Sequence, residues 1–123
     1  MGYEDYKSCI EACLDCAAKC QRCAAACLGE KDVTMMSECI RLDLECAALC
    51  QAAAQLMQLE SERVQDMCML CAEACAMCAN ECSRHTAEHC RECAEACKKC
   101  ATACNNMAET DNLTEASADP QAF

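Results

Sequence analysis

The stretch CIEACLDCAAKCQRCAAAC places cysteine at Cys9, Cys13, Cys16, Cys20, Cys23 and Cys27, in steps of four, three, four, three and four. A repeat averaging 3.5 residues keeps its side chains on one face of an α-helix packed at a shallow angle against its neighbours, whereas a strand needs a period of two. The rhythm returns at Cys68, Cys71, Cys75, Cys78 and Cys82, and again at Cys90, Cys93, Cys97, Cys100 and Cys104. A sparser set, Cys39, Cys46 and Cys50, keeps the same phase. The residues between them are largely Ala, Glu, Lys, Gln and Arg, which favour helix, and no Gly or Pro falls inside a cysteine run. Four helices are predicted.

Helix one is expected from about Glu4 to Leu28 with Gly29 as a left-handed stop, and helix two from Asp32 or Thr34, both good N-caps. Helix three is expected from Ser61 and helix four from Thr86, each with an acidic residue in the following turn to meet the helix dipole. The seam phase runs unbroken from Cys50 through Ala54, Met57, Ser61 and Val64 to Cys68, so periodicity alone permits one rod over 34–82. Such a rod would leave half of its cysteine stripe in water, which argues for a break at Ser61. From Ala108 the stretch AETDNLTEASADPQAF is acidic, contains Pro and has little apolar content, and 108–123 reads as a disordered acidic tail. The expected fold is all-α, an antiparallel (up-down-up-down) four-helix bundle over 1–107 with a cysteine-lined core.

What the thiols are for is constrained by what else could fill that core. The chain has 123 residues, enough for one small domain, with one Phe, two Tyr and no Trp. Nineteen cysteines in register pack a bundle less well than Leu or Ile would, so packing alone does not account for them. Disulfides are disfavoured by compartment and by geometry. The opening MGYEDYKSCIEAC is acidic with no apolar run, Tyr6 stands where a myristoylation motif wants Ser or Thr, and no stretch is long enough to span a bilayer. A reducing, cytoplasmic location is expected. Bridges between neighbours three or four apart would cross-link residues the helix already holds. A net charge of −11 argues against nucleic acid or an anionic membrane as partner and suits a protein that handles cations.

Metal chemistry remains. Residues i and i+4 of a helix have Cβ atoms about 5–6 Å apart, and two thiolates around a linear ion need sulfurs roughly 4–5 Å apart at metal–sulfur bonds of about 2.3 Å. Cu(I) accepts two or three soft thiolates, whereas Zn²⁺ wants a tetrahedron of four. The Cys-x-x-Cys loop runs of iron–sulfur proteins, often closed by Cys-Pro, do not occur. If thiolates bridge, one Cu(I) per Cys leaves a neutral core, while Zn²⁺ with four thiolates each leaves negative charge in an apolar interior. Multiple Cu(I) ions per chain, about one per Cys, are therefore expected.

The segments CIEACLDCAAKCQRCAAAC, CMLCAEACAMCANEC and CRECAEACKKCATAC resemble the bacterial copper storage proteins over about residues 3–107. That resemblance implies a non-enzymatic store: a bundle lumen lined with thiols that bind many Cu(I) ions, assembled as a homotetramer. Without a signal peptide this chain is similar to the cytosolic members. A copper chaperone or a small-molecule thiol is the expected copper donor. One departure is the second helix, with three cysteines and Asp43 on the seam between Cys39 and Cys46. Asp43 reads either as a rim residue paired with Lys or Arg, or as a hard-oxygen contact or an acceptor for a thiol or imidazole.

The up-down-up-down order brings Met35, Met36, His85 and His89 to one mouth as candidate soft ligands, against a plain reading of the histidines as surface residues on a turn. Tyr6, Met57, Val64 and Met107 gather at the other end as an apolar plug. On helix two, Leu42, Leu49 and Leu56 flank one side of the seam and Val33, Ile40, Leu44 and Ala47 the other, an excess that suggests a subunit interface. Two other classes stay open: a zinc or mixed-metal thiolate buffer of the metallothionein type, and a thiol redox protein. The latter would need one or two activated cysteines set apart from the rest, and no catalytic arrangement is visible.

Overall fold

The computed structural model describes residues 2–118. Four helices run α1 (Tyr3–Leu28), α2 (Ser37–Gln58), α3 (Val64–Cys82) and α4 (Glu88–Ala118), with a 3-10 turn at Val33–Met36 leading into α2. Each helix packs beside two others, α1 against α2 and α4, and α3 against α2 and α4. The sulfur pairs fix the directions. Cys27 meets Cys39 while Cys16 meets Cys46, Cys9 meets Cys104 while Cys23 meets Cys90, and Cys39 meets Cys82 while Cys50 meets Cys71. Neighbours are thus antiparallel throughout, as the cysteine phase requires.

Diagonal helices meet through side chains at the centre. Cys16 of α1 lies 3.9 Å from Cys75 of α3, and Cys50 of α2 lies 3.8 Å from Cys100 of α4. A seam of small residues lets four helices draw close enough for that; Ala17, Ala47, Ala53, Ala54, Ala72, Ala79 and Ala94 are buried beside it. All nineteen cysteines are buried free thiols.

The turns follow the sequence in outline and differ in mechanism. Asp5 accepts the Gly2 N–H at 3.0 Å at the start of α1. At its end Gly29 has φ −90°, a right-handed conformation, so the expected left-handed stop is not used. Instead Gly29 and Glu30 donate to the carbonyls of Ala26 and Cys27 and tighten the chain into a turn. Neither Asp32 nor Thr34 begins the second α-helix. The 3-10 turn occupies those positions without a side-chain cap at Asp32, and α2 starts at Ser37. The break near Ser61 exists, but the residue that makes it is Glu60, with φ 54°. Glu60 N–H donates to Met57 O and Ser61 N–H to Leu56 O, the paired bonds of a Schellman cap, so a glutamate takes the place that glycine usually fills. Ser61 lies in the turn, where its Oγ accepts the Arg63 N–H, and α3 begins three residues later at Val64. Similarly α4 begins at Glu88 rather than Thr86. Its backbone is helical to Ala118, overlapping the expected tail, and 119–123 lie outside the described residues.

Tyr6, Ile10, Met57 and Val64 are buried with the sulfurs of Cys9 and Cys68, and Met107 packs against them partly buried. On α2 the apolar excess is mostly spent within the subunit. Leu42 and Ala47 are buried, Ile40, Leu49 and Leu56 pack half-buried on the core, and Leu44 and Val33 are left exposed.

Met57 is fully buried in the plug with Tyr6, Ile10 and Val64. Met57→Ala is therefore expected to cost the metal-free, reduced protein about 2–4 kcal/mol in urea denaturation, against under about 0.5 kcal/mol for Leu28→Ala, exposed at the end of α1. Equal losses would mean that this end is not a packed plug.

Candidate metal centre

Each helix presents its thiols one turn apart. Sγ–Sγ distances for the i,i+4 pairs are nearly uniform, 4.0 Å for Cys16–Cys20 and 3.9 Å for Cys23–Cys27, Cys46–Cys50, Cys71–Cys75, Cys78–Cys82, Cys93–Cys97 and Cys100–Cys104. Contacts between helices are as short or shorter: 3.5 Å for Cys39–Cys82 and Cys46–Cys75, and 3.6 Å for Cys13–Cys104, Cys16–Cys97 and Cys50–Cys71. Cys9 lies 3.9 Å from Cys104, and Cys68 adjoins the same pair. The result is one connected sulfur network along the bundle axis.

The spacing speaks to coordination. Bonds of about 2.3 Å put two sulfurs roughly 4.6 Å apart around a linear ion and roughly 3.8–4.0 Å apart around a three- or four-coordinate one. The i,i+4 pairs are thus shorter than the linear distance expected from helix geometry alone. A linear ion would open a pair by less than about 1 Å, within the reach of a side-chain rotation.

Sulfurs also gather in fours, every one within 4.8 Å of the rest, at Cys13/Cys71/Cys100/Cys104, Cys16/Cys46/Cys50/Cys75, Cys20/Cys78/Cys93/Cys97 and Cys23/Cys27/Cys39/Cys90. A further quartet, Cys16/Cys20/Cys46/Cys97, takes its members from the two in the middle. Shared sulfurs suit bridging thiolates better than closed, separate tetrahedra.

Asp43 is fully buried, which overturns its reading as a rim residue paired with a cation. Its Oδ1 accepts from the thiols of Cys78 at 3.1 Å, Cys93 at 3.3 Å and Cys82 at 3.4 Å, and Cys39 lies 3.9 Å from Oδ2. Burial away from water, and secondarily the sulfur of Cys93, pushes its pKa up to about 8. The group is a neutral carboxyl at pH 7, offering an acceptor without burying a charge.

The thiols divide similarly. Burial raises Cys90 to about 11 and moves Cys27 the same way, whereas hydrogen bonds with Cys23 and Cys82 bring Cys39 of the same quartet down to about 2. Deeper in, hydrogen bonds from Cys16, Cys20 and Cys50 favour a thiolate at Cys46, while those with Cys16, Cys20 and Cys46 push Cys97 upward. The thiolate at Cys46 is thus stabilised by S–H donors on its neighbours, of which Cys20 and Cys50 keep their protons.

At the mouth the four soft residues separate. His89 reaches the network: its Nδ1 is 3.4 Å from Cys23 Sγ and 3.6 Å from Cys90 Sγ, and its Nε2 is 2.9 Å from Glu30 Oε1. His85 is held through Nε2 by Glu81 at 2.9 Å, one turn back. Met36 is 7% exposed and packs with the core, whereas Met35 is 70% exposed and turned to solvent. Glu30 and Glu81 escaped the sequence reading. The i,i+4 spacing of Glu81 and His85 could have been noticed, but the Glu30–His89 pair exists only once α1 and α4 are packed.

No helix among the described residues is long and apolar enough to cross a membrane. The profile of the copper storage protein (Csp) family matches residues 3–109. Among solved structures, the Cu(I)-bound copper storage protein BsCsp3, from Bacillus subtilis, is 45% identical with a TM-score of 0.81, covering 84% of this chain and 97% of that one. A cytosolic copper storage protein from Streptomyces lividans with five coppers is 41% identical with a TM-score of 0.84, covering 87% and 94%. The copper storage protein Ccsp from the same organism, loaded with 10 copper equivalents, is 41% identical with a TM-score of 0.83, covering 86% and 85%. No curated protein matches.

Asp43 has a measurable pH signature. With a folded pKa of about 8 against an ordinary 3.8, both states are protonated below the lower value. As pH rises from there, the unfolded chain releases a proton that the folded chain keeps, so stability falls, by up to about 1.4 kcal/mol per pH unit, and levels off above the folded pKa. Between pH 5 and 7.5 the metal-free parent is expected to lose about 2–3 kcal/mol more than Asp43→Asn in urea denaturation. Parallel pH profiles would mean that Asp43 is ionised in the folded protein.

Proposed function

Because the chain belongs to the copper storage protein family, we propose that it stores Cu(I) in the cytosol, many ions per chain, on thiolates lining the bundle core, and catalyses no reaction. The observation that carries this reading is the single network of nineteen buried free thiols with shared sulfurs. Loading exchanges one proton for one Cu(I) at each protonated thiol, so there the charge of the core is the same empty and full. That equality matters in an interior with no water to screen charge.

In this reading all nineteen cysteines are ligands. Asp43 and His89 supply an oxygen and a nitrogen donor where the structure places them against sulfur. His85, Met36 and Met35 serve as outer, weaker donors at the mouth. Bridging thiolates and separate tetrahedra make opposite predictions about charge, because Zn²⁺ with four thiolates carries a net −2 into the core. The buried thiols also offer no singular pair of the kind redox chemistry needs. Exposed Leu14, Leu44, Met69, Leu70 and Met77 support assembly into a homo-oligomer, a tetramer by analogy with the family. A copper chaperone or a small thiol carrying Cu(I) fits as donor, with transfer between soft ligands at the mouth.

Anaerobic titration with Cu(I) against a strong chelator is expected to saturate well above about ten ions per chain, approaching one per cysteine. Saturation at about four or five would identify a tetrahedral metal as the natural cargo. In stopped-flow loading, His89→Ala is expected to slow uptake several-fold and His85→Ala less, with capacity within about two ions of the parent in both. Unchanged rates would place the admission route elsewhere.

A further inference from the structure

Glu30 is the carboxylate beside the outermost sulfurs that the storage chemistry itself does not use. It follows Gly29 in the turn after α1, where its own N–H donates to the Cys27 carbonyl at 3.1 Å, so its backbone is tied to the last turn of that helix. From there the carboxylate crosses to the first turn of α4 and meets His89 Nε2 at 2.9 Å. The opposite nitrogen of the same ring, Nδ1, faces Cys23 Sγ and Cys90 Sγ. Both sulfurs belong to the quartet with Cys27 and Cys39 at this end of the network.

An ionised carboxylate only accepts hydrogen bonds, so the neutral ring must carry its proton on Nε2, which leaves the Nδ1 lone pair directed at the two sulfurs. Without that anchor an imidazole 19% exposed at the mouth can rotate about its side-chain bonds or exchange tautomers. Either change removes the lone pair from the sulfurs. Carboxylates that hold a metal-binding imidazole by its second nitrogen fix both tautomer and orientation in this way.

We propose that Glu30 is a positioning residue for copper transfer, holding the His89 ring with Nδ1 aimed at Cys23 and Cys90 so that arriving Cu(I) meets a preformed nitrogen–sulfur donor set. The proposal rests on the storage reading. It assigns the turn between α1 and α2 a part in loading, through an acidic residue bonded to the ring rather than to the copper. His85 and Glu81 make the same Nε2–carboxylate pair within one helical turn, but Glu30 ties the end of one helix to the start of another. The His89 ring therefore stays in place only while α1 and α4 keep their spacing.

The test uses the full chain, metal-free and reduced. Proton–nitrogen NMR of the parent is expected to show a slowly exchanging His89 Nε2–H and ring contacts to the Cβ protons of Cys23 and Cys90. Glu30→Ala should lose both, and should slow uptake of Cu(I) from a coloured bicinchoninate complex by about 2- to 5-fold, no more than His89→Ala does, with capacity and far-ultraviolet circular dichroism unchanged. Glu30→Gln, whose amide oxygen still accepts from Nε2–H, should recover most of the ring contacts and the rate. Parent-like uptake by Glu30→Ala overturns the proposal. So does equal slowing in Glu30→Gln, which would assign the effect to lost charge, and so does a fall in capacity or helicity, which would assign it to a damaged bundle. A parent that binds only a few Cu(I) ions sinks the storage reading and the copper part of this proposal together, while the NMR arm still reports whether Glu30 holds the ring.

Discussion

Sulfur touching sulfur sets the rest of the structure. Thiols one helical turn apart stand 3.9–4.0 Å from each other, and thiols on facing helices stand as close as 3.5 Å, so the lumen is no wider than its own lining. Larger apolar side chains at these positions would push the helices apart, and diagonal pairs such as Cys16–Cys75 could not form. The small seam therefore sets the width of the bundle and makes its centre continuous. It also explains why the large apolar residues Met57, Val64, Tyr6 and Ile10 are concentrated at one end, where the thiol rows stop and the bundle must be closed by volume.

The same atoms must serve two states with opposite demands. A protonated thiol is a small hydrophobe, acceptable in a core without water, while a thiolate there needs a cation beside it. In the metal-free state burial favours the protonated form at Cys90, raised to about 11. Asp43 fits the same logic. An ionised carboxylate among cysteines would be an isolated buried charge, but with its pKa near 8 it is a neutral acceptor shared by Cys78, Cys82 and Cys93. Metal-free folding then requires no ion, unlike small zinc domains whose folding free energy is the metal's.

The periodicity made the helix count, their order and their inward faces legible, because a 3.5-residue repeat leaves a thiol stripe only one way to be buried. The turns were harder to read, since backbone conformation there depends on which orphan carbonyls a packed neighbour leaves open. Gly29 was the obvious left-handed residue and adopts a right-handed conformation, while the unremarked Glu60 takes the left-handed position. Asp43 could be placed on the seam, but sequence could not tell whether the seam at that height was rim or interior. Met35 and Met36 were indistinguishable as neighbours in sequence, and the 3-10 turn alone decides that one is buried and the other in solvent. The ends of the bundle were separable by residue type, soft and polar at one, apolar at the other. The carboxylates behind the two histidines were not, because hydrogen-bonded pairs across elements leave no periodic trace.

That difference between the ends bears on how a neutral core can be filled at all. Every ion that enters must be matched by a proton that leaves, and both must pass where the packing is interrupted. The apolar end offers the thioethers of Met57 and Met107 but no imidazole. The other end offers two imidazoles, each already hydrogen-bonded to a carboxylate, with His89 also against the outermost sulfurs. An imidazole there can bind an incoming soft cation or take up a departing proton, though not both at once, so the two exchanges must alternate at the same ring. The connected sulfurs behind it let an ion move inward by changing one thiolate neighbour at a time, never crossing a gap in which it would have no ligand. If ions enter at the mouth as proposed, filling is limited by events there and capacity by the length of the sulfur network, two properties carried by different residues of one bundle.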